Sequence, residues 1–248
     1  MMKWNVNALT YGLCTMINLI VTTHPFCQDE AISIGSEVNT NPKAAEELLE
    51  LCADAALDGV SLIAVNVKTE EVVAVAFNKI QVDTFLFNYL FFLYRIGRWT
   101  SIWASSRSLI QFMADVDGRC NLFENLEIMF LATLREHRRQ NLGTQLCKCS
   151  IDLGRKIKDG AITPINVDNL GPEYSHLKMR KPIDTYPKIC QAIWTAEGSR
   201  KIGRTLNFTV HLAVSLSEFV FNGKTYSERI GDEAAFCEVF SFVFIRTY

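Results

Sequence analysis

Residues 126–157 read LEIMFLATLREHRRQNLGTQLCKCSIDLGRKI, and the change of pattern inside this stretch decides the fold. Leu126, Ile128, Met129, Phe130, Leu131 and Ala132 make an apolar run that carries one charge, Glu127. A run this short is a buried strand or helix segment, and the polar turn that closes it favours a strand. From Leu142 the period changes. Leu142, Leu146, Cys149, Leu153 and Ile157 recur at helical spacing, with Gln145, Lys148, Asp152 and Lys156 on the other side. Between the two elements lie Arg138, Arg139, Gln140, Asn141, Leu142, Gly143 and Thr144. The first N–H groups of a helix lack intrahelical partners and, with the helix dipole, attract anions; guanidinium groups add charge that matches phosphate oxygens. Taken alone, the turn is either an anion site whose natural guest is a pyrophosphate, or a turn with two solvated arginines.

Working outward, residues 8–22 read as a first helix, whose apolar run Ala8 to Val21 is too short to span a bilayer. Without a small-x-small cleavage site it reads as buried helix rather than signal peptide. Asn41 and Pro42 punctuate a second helix, Ala44 to Leu57, ending at Gly59, with Glu46, Glu47 and Glu50 in its N-terminal half. Val60 to Val67 and Val72 to Asn78 form a hairpin about residues 68–71. Residues 81–103 hold an unusual density of aromatic side chains, suited to packing over a core or a ligand cleft. Residues 105–116 read as a helix ending before Asp117 and Gly118.

Beyond the organising stretch, Gly160 to Pro187 reads as loop with a short helix around Tyr174 to Met179. Ile189 to Thr195 is a strand, and Gly198 to Leu206 a helix with Ser199 as candidate cap. Leu206, Phe208, Val210, Leu212, Val214 and Leu216 alternate with polar residues as one strand face. Asn222-Gly223 is a hairpin turn, and Cys237 to Ile245 the last strand. The layout is α/β, a single domain over residues 1–248.

Composition narrows the function. With 49% apolar and 21% charged residues and a net charge of −2, the chain lacks the basic footprint of wholesale nucleic-acid binding. Eight scattered cysteines form no CxxC pair, and no histidine has a metal-ligand partner at useful spacing. They read as free thiols of a reducing compartment, the cytosol, with no metal and no membrane span.

Arg138-x-x-Asn141-x-Gly143, placed after a strand, resembles the (Gln/Arg)-x-x-Gly-x-(Gly/Ala) signature of the GNAT superfamily of acyl-CoA-dependent N-acyltransferases. It departs at Asn141, a residue that tolerates a left-handed backbone better than most. The pieces Gln28-Asp29-Glu30, Ser106 to Ile110, Ser199 to Gly203 and Phe221 to Lys224 are similar to the insect-type arylalkylamine (dopamine) N-acetyltransferases, over most of residues 26–245. Residues 81–103 do not look like that branch, and the connection Asn121 to Asn125 is shorter than expected.

The resemblance implies a GNAT fold, a mixed central sheet flanked by helices, with acetyl-CoA as co-substrate at a splayed strand and the following helix N-terminus. Leu131, Ala132 and Thr133 would supply main-chain groups to the pantetheine arm and the oxyanion, and residues 138–144 would hold the pyrophosphate. Glu30 matches the family's general base in an Asp-Glu-Pro motif, with Ala31 for the proline; without the resemblance it is equally a surface acid. Thr195 and Ser199 match two catalytic hydroxyls, or else a strand end and a cap. Gly203 replaces the tyrosine that many other GNAT enzymes use as acid. The implied activity is acetyl transfer to an arylalkylamine, a small-molecule partner, by a monomer. The alternative is a catalytically silent GNAT-fold protein that binds CoA or a partner.

Overall fold

The computed structural model describes residues 4–8, 30–81, 124–157, 162–181, 186–232 and 235–244. The expected helix 8–22 beyond Ala8, which ends a strand, the expected helix 105–116, the aromatic stretch beyond Gln81 and residues 121–123 lie outside them. In chain order the elements are β1 (Trp4–Ala8), α1 (Ala31–Gly35), α2 (Pro42–Ala56), β2 (Leu62–Asn66), β3 (Val72–Gln81), β4 (Asn125–Thr133), α3 (Leu142–Lys156), β5 (Ile189–Trp194), α4 (Glu197–Thr205), β6 (Thr209–Ser215), β7 (Val220–Phe221), β8 (Lys224–Thr225), α5 (Tyr226–Ile230) and β9 (Phe236–Val243). Among the described residues, one seven-stranded sheet runs in the order β1-β2-β3-β4-β5-β9-β6. Its neighbours are antiparallel except for β4 beside β5. Such a mixed sheet is what the resemblance implied, on the α/β layout of the sequence pattern; β1 and the short α1 and α5 are additions to it.

The hydrophobic pattern places the layers. In β3, Val75 and Phe77 join the cluster under α2, while Ala74 and Ala76 join Leu142 and Leu146 of α3 on the other face. Both faces are covered, which explains why Val72 to Phe77 is apolar without alternation. Helix α2 begins as its sequence dictates: Asn41 accepts from the Ala44 N–H and Pro42 opens the first turn. The buried stripe of α3 is broader than its simple heptad. Leu142 and Leu146 pack toward β2 and β3, whereas Cys147, Ile151 and Ile157 pack on β4, β5 and Phe240 of β9. Cys149 and Leu153 are left half-buried between the two contacts.

Three expectations change. The turn before β5 contains single helical turns at Val167–Leu170 and Pro172–Tyr174, so Tyr174 ends a turn instead of starting a helix to Met179. Pro172 opens that turn, and Arg180 further on bonds to Asp54 of α2 and to Asp58 just after it. Ser199 does not cap α4; Ala196 holds the cap position and Ser199 donates to its carbonyl. The alternating segment is an edge strand with a bulge between Val210 and Leu212, so Val210 is exposed despite its phase.

The close of the fold around β5 rests on a missing side chain. Trp194 stacks against Phe208 and Phe240, with ring centroids at 5.3 and 4.7 Å. A Cβ at Gly203 of α4 would stand 1.8 Å from the indole and 2.8 Å from Phe240. A tyrosine has no room there. Replacing Gly203 by alanine is expected to destabilise the protein by about 1–3 kcal/mol through overpacking, lowering the urea midpoint without changing the slope.

Candidate functional site

The site is built where β4 and β5 part. They pair in parallel only over Asn125, Leu126 and Glu127 with Ile189, Cys190 and Gln191. Beyond that, β4 stays paired to β3 as far as Thr133, and β5 to β9 as far as Trp194. The strands therefore diverge as a V. A register shift opposite Phe77 and Asn78 marks the bulge in β4 at Met129, just past the apex. Leu134 donates its N–H to Val73 of β3. By strand alternation, Ala132 turns the same way, and the main-chain groups of Leu131 and Thr133 face the open side of the V. On that edge, Arg138 Nε donates to the Thr133 carbonyl, at 3.4 Å.

The mouth of the V is closed at its far end by the turn into α3. Arg139 and Asn141 both take left-handed backbone, at φ of 60° and 63°. Asn141 thus adopts the conformation that a glycine would supply, as its side chain allows. Left-handed residues between ordinary ones direct successive N–H groups toward one side, and the first turn of α3 adds those of Leu142, Gly143 and Thr144. Arg138 and Arg139 are exposed, Gln140 half-buried. A Cβ on Gly143 would meet Ile202 of α4 at 2.9 Å and Leu131 of β4 at 3.5 Å, so this glycine lets the helix start close to both walls. The expected anion-binding residues are brought together in one place.

At the head of β5, Thr195 donates its hydroxyl proton to Glu30 Oε1, and Glu30 Oε2 accepts from the Ser33 N–H at 2.9 Å. Glu30 is the N-cap of α1, which packs on α5; a Cβ at Gly35 would strike the Tyr226 ring at 2.3 Å. Burial pushes the Glu30 carboxyl above its usual range, against the Thr195 and main-chain hydrogen bonds that favour the charged form. The same burial raises Cys237 to about 12, with the Glu30 charge adding to it, and lifts the Tyr226 phenol. Ser199 is not part of this pair: it is half-buried and donates to Ala196 O at 2.8 Å.

Sequence reading passed over the polar residues below this pair. Glu127 is buried and accepts from Gln81 Nε2 at 2.8 Å. Burial raises its carboxyl, with Gln81 and the Lys79 charge opposing the shift. The signal was a single charge in an otherwise apolar strand. No group of three acidic, histidine or cysteine residues among the described residues could hold a metal ion, and no described helix is long and apolar enough to cross a membrane.

No protein-family profile matches the chain, and no curated protein matches it by sequence. Solved structures do match. A Drosophila melanogaster polyamine N-acetyltransferase, which forms N-acetylagmatine, superposes with a TM-score of 0.66 at 11% identity, over 98% of this chain and all of that one. A mosquito arylalkylamine N-acetyltransferase like 5b gives 0.66 at 13% identity over 98% of this chain and 100% of the other. The arylalkylamine N-acetyltransferase 2 of Aedes aegypti gives 0.63 at 13% over 97% and 99%.

Because burial raises the Glu30 carboxyl above its usual range, its linkage to stability has a definite sign. A raised folded pKa stabilises at low pH and loses that contribution as pH rises through it. The stability of Glu30→Gln relative to the parent is therefore expected to increase from pH ~4 to pH ~8, read by urea unfolding at each pH. Together with these superpositions, the mixed sheet, the diverging β4–β5 pair and the left-handed turn into α3 identify the fold of this chain as the GNAT acetyltransferase fold.

Proposed function

We propose that the protein is an acetyl-CoA-dependent N-acetyltransferase that acetylates the primary amine of an arylalkylamine of the dopamine, tyramine, octopamine or serotonin type. The observation that carries this reading is the Glu30–Thr195 pair, joined across 165 residues of sequence beside the open V. A carboxylate whose proton affinity is raised by burial suits an ammonium that must lose its proton before nitrogen can attack. The residues present fit the co-substrate: Arg138 to Thr144 offer N–H groups and positive charge to a pyrophosphate, and the free edge of β4 offers strand-like pairing to an amide-bearing arm.

Bound acetyl-CoA supplies a thioester acyl group open to attack by an amine in a ternary complex. Glu30 accepts the proton lost by the ammonium, directly or through one water. The main-chain N–H groups on the open side of β4, between Leu131 and Thr133, hold the carbonyl oxygen as negative charge develops. When the carbon–sulfur bond breaks, the sulfur takes a proton from the Thr195 hydroxyl, which is made good through the Glu30 carboxyl to which it is hydrogen-bonded, while the acylated nitrogen gives up its remaining extra proton to water. Ser199 contributes once it turns away from Ala196. Cys147 is buried with its thiol raised to about 12 and Cys149 also lies along α3, so neither serves as an acyl carrier. The chain acts as a monomer in the cytosol, where its thiols stay reduced.

The decisive assay is thiol release from acetyl-CoA with and without arylalkylamines. Amine-dependent release is expected, and Glu30→Gln should lower kcat/KM by ~10²–10⁴ while acetyl-CoA binding persists. Binding of acetyl-CoA without release would favour a catalytically silent GNAT-fold protein. Gly143→Asp places bulk and negative charge on the phosphate-facing turn, and calorimetry should show acetyl-CoA affinity reduced at least ~100-fold. Tight binding by that variant would remove the turn from the site.

A further inference from the structure

Glu30 is carried by a helix too short to hold itself. Helix α1 has five residues, well below the length at which a helix persists in water without outside support. Its hydrogen bonds nevertheless make it one stiff piece with the residues that follow. Ile34 N–H donates to Glu30 O at 3.0 Å, Ser36 N–H to Ile32 O at 2.8 Å and Glu37 N–H to Ile34 O at 3.1 Å. Ser36 Oγ adds a second bond to Ile32 O. Where Glu37 is held, Glu30 follows.

Residues 222–229 hold this piece at two places. In its middle, the α1 backbone lies against the Tyr226 ring, which a Cβ at Gly35 would enter. At its end, Glu37 takes left-handed backbone at φ 59°, accepts from Arg229 through Oε1, and accepts from Asn222 Nδ2 through Oε2 at 3.2 Å. Arg229 has a second grip. Its other terminal nitrogen donates to Phe221 O at 2.8 Å, and the guanidinium stands over the Phe221 ring, 5.4 Å from its centroid. The Arg229 side chain is 13% exposed, so solvent does little to screen these charge-assisted bonds.

The support beneath is stiff as well. Asn222 and Gly223 turn the β7–β8 hairpin, Tyr226 N–H donates to Phe219 O at 2.8 Å, and Thr225 and Glu228 cap α5 reciprocally. Leu216 N–H, bonded to Ala235 O at 2.9 Å, ties this unit to the head of β9, which pairs with β5 up to Trp194. Arg229 thus closes a ring of contacts that leaves β5, passes through β9, the hairpin, α5 and α1, and returns to Thr195 through Glu30.

Resting on the acetyl-transfer reading above, we propose that Arg229 is a positioning residue for the general base: by holding Glu37 and Phe221 at once, it docks α1 on α5 and sets the Glu30 carboxyl beside Thr195. It acts through Glu30, not on the substrate. Methionine at this position keeps an apolar stem over Phe221 and loses both bonds. Lysine keeps the charge for Glu37 but has one nitrogen in place of the guanidinium fork. A base freed to shift by an ångström loses on the order of 10²-fold in rate.

The test uses the full chain. Arg229→Met should lower kcat by ~10–100-fold with amine KM and acetyl-CoA affinity changed by less than ~3-fold, because the base acts in the chemical step. Arg229→Lys should recover kcat to within ~5-fold of the parent. Glu37→Gln, at a half-buried position, should cost ~3–10-fold, and the double variant should stay within ~2-fold of Arg229→Met alone, since both remove one interaction. Hydrogen exchange over residues 31–37, measured without substrates, should quicken by at least ~10-fold in Arg229→Met while residues 72–77 of β3 stay protected. A folded Arg229→Met with parental kcat, or with acetyl-CoA affinity falling in step with kcat, would overturn the positioning role while leaving acetyl transfer intact. Should that variant not fold, parental kcat in Glu37→Gln would overturn it in the same way. Faster exchange over residues 31–37 in a chain whose parent shows no amine-dependent turnover would uphold the docking of α1 by Arg229 and overturn the transferase reading; neither turnover in the parent nor a change in exchange would overturn the two together.

Discussion

Three parallel residue pairs, Asn125 to Glu127 with Ile189 to Gln191, are the constraint on which the rest of the structure depends. They hold β4 and β5 together at one end and release them at the other. Each strand keeps its outer ladder along the divergence, β4 with β3 and β5 with β9, so the V opens without freeing either strand. Trp194 wedges the far end of β5 against Phe208 and Phe240, and α4 closes over it through Gly203. The opening leaves main-chain donors and acceptors on β4 in need of partners, a demand that buried backbone rarely leaves unmet.

Chemistry is distributed around that V by the two faces of the sheet. The α3 face brings a helix N-terminus, a glycine without a side chain and two arginines to the mouth. The opposite face brings Glu30 to Thr195, although α1 and β5 are far apart in sequence. Two influences set against each other define the carboxyl there: burial favours its neutral form, while hydrogen bonds from Thr195 and the α1 main chain favour the charged one. A group balanced in this way can change protonation at modest cost, which a surface acid beside solvent does without any tuning.

Much of the architecture was legible because it is local. The apolar run, the polar turn and the helical period of residues 126–157 gave β4 and α3 within a residue or two. Asn41 and Pro42 announced α2, and Asn222 and Gly223 the small β7–β8 hairpin. Asn141 carried its own explanation, since a short polar side chain tolerates the left-handed turn that the loop requires. The errors are of another kind. The alternation through Val210 and Leu212 reads as one continuous strand face, but among the described residues the strand lies at the sheet edge and bulges. Ser199 looked like the cap of α4; in the fold Ala196 holds that position and Ser199 donates to its carbonyl.

By itself the sequence determined the elements and the polar turn before α3, because propensity, period and turn chemistry act over a few residues, while Glu30 and Thr195 were singled out by the resemblance to a family. Only the tertiary structure decided that Glu30 meets Thr195, that β4 and β5 separate after Glu127, and that Gln191 lies buried beside Glu127 with an unmatched amide. Those facts depend on register between strands and on the depth to which neighbours bury a polar group. Neither is encoded in spacing along the chain: moving a strand by one residue would turn each of these side chains to the other face while leaving its local sequence unchanged.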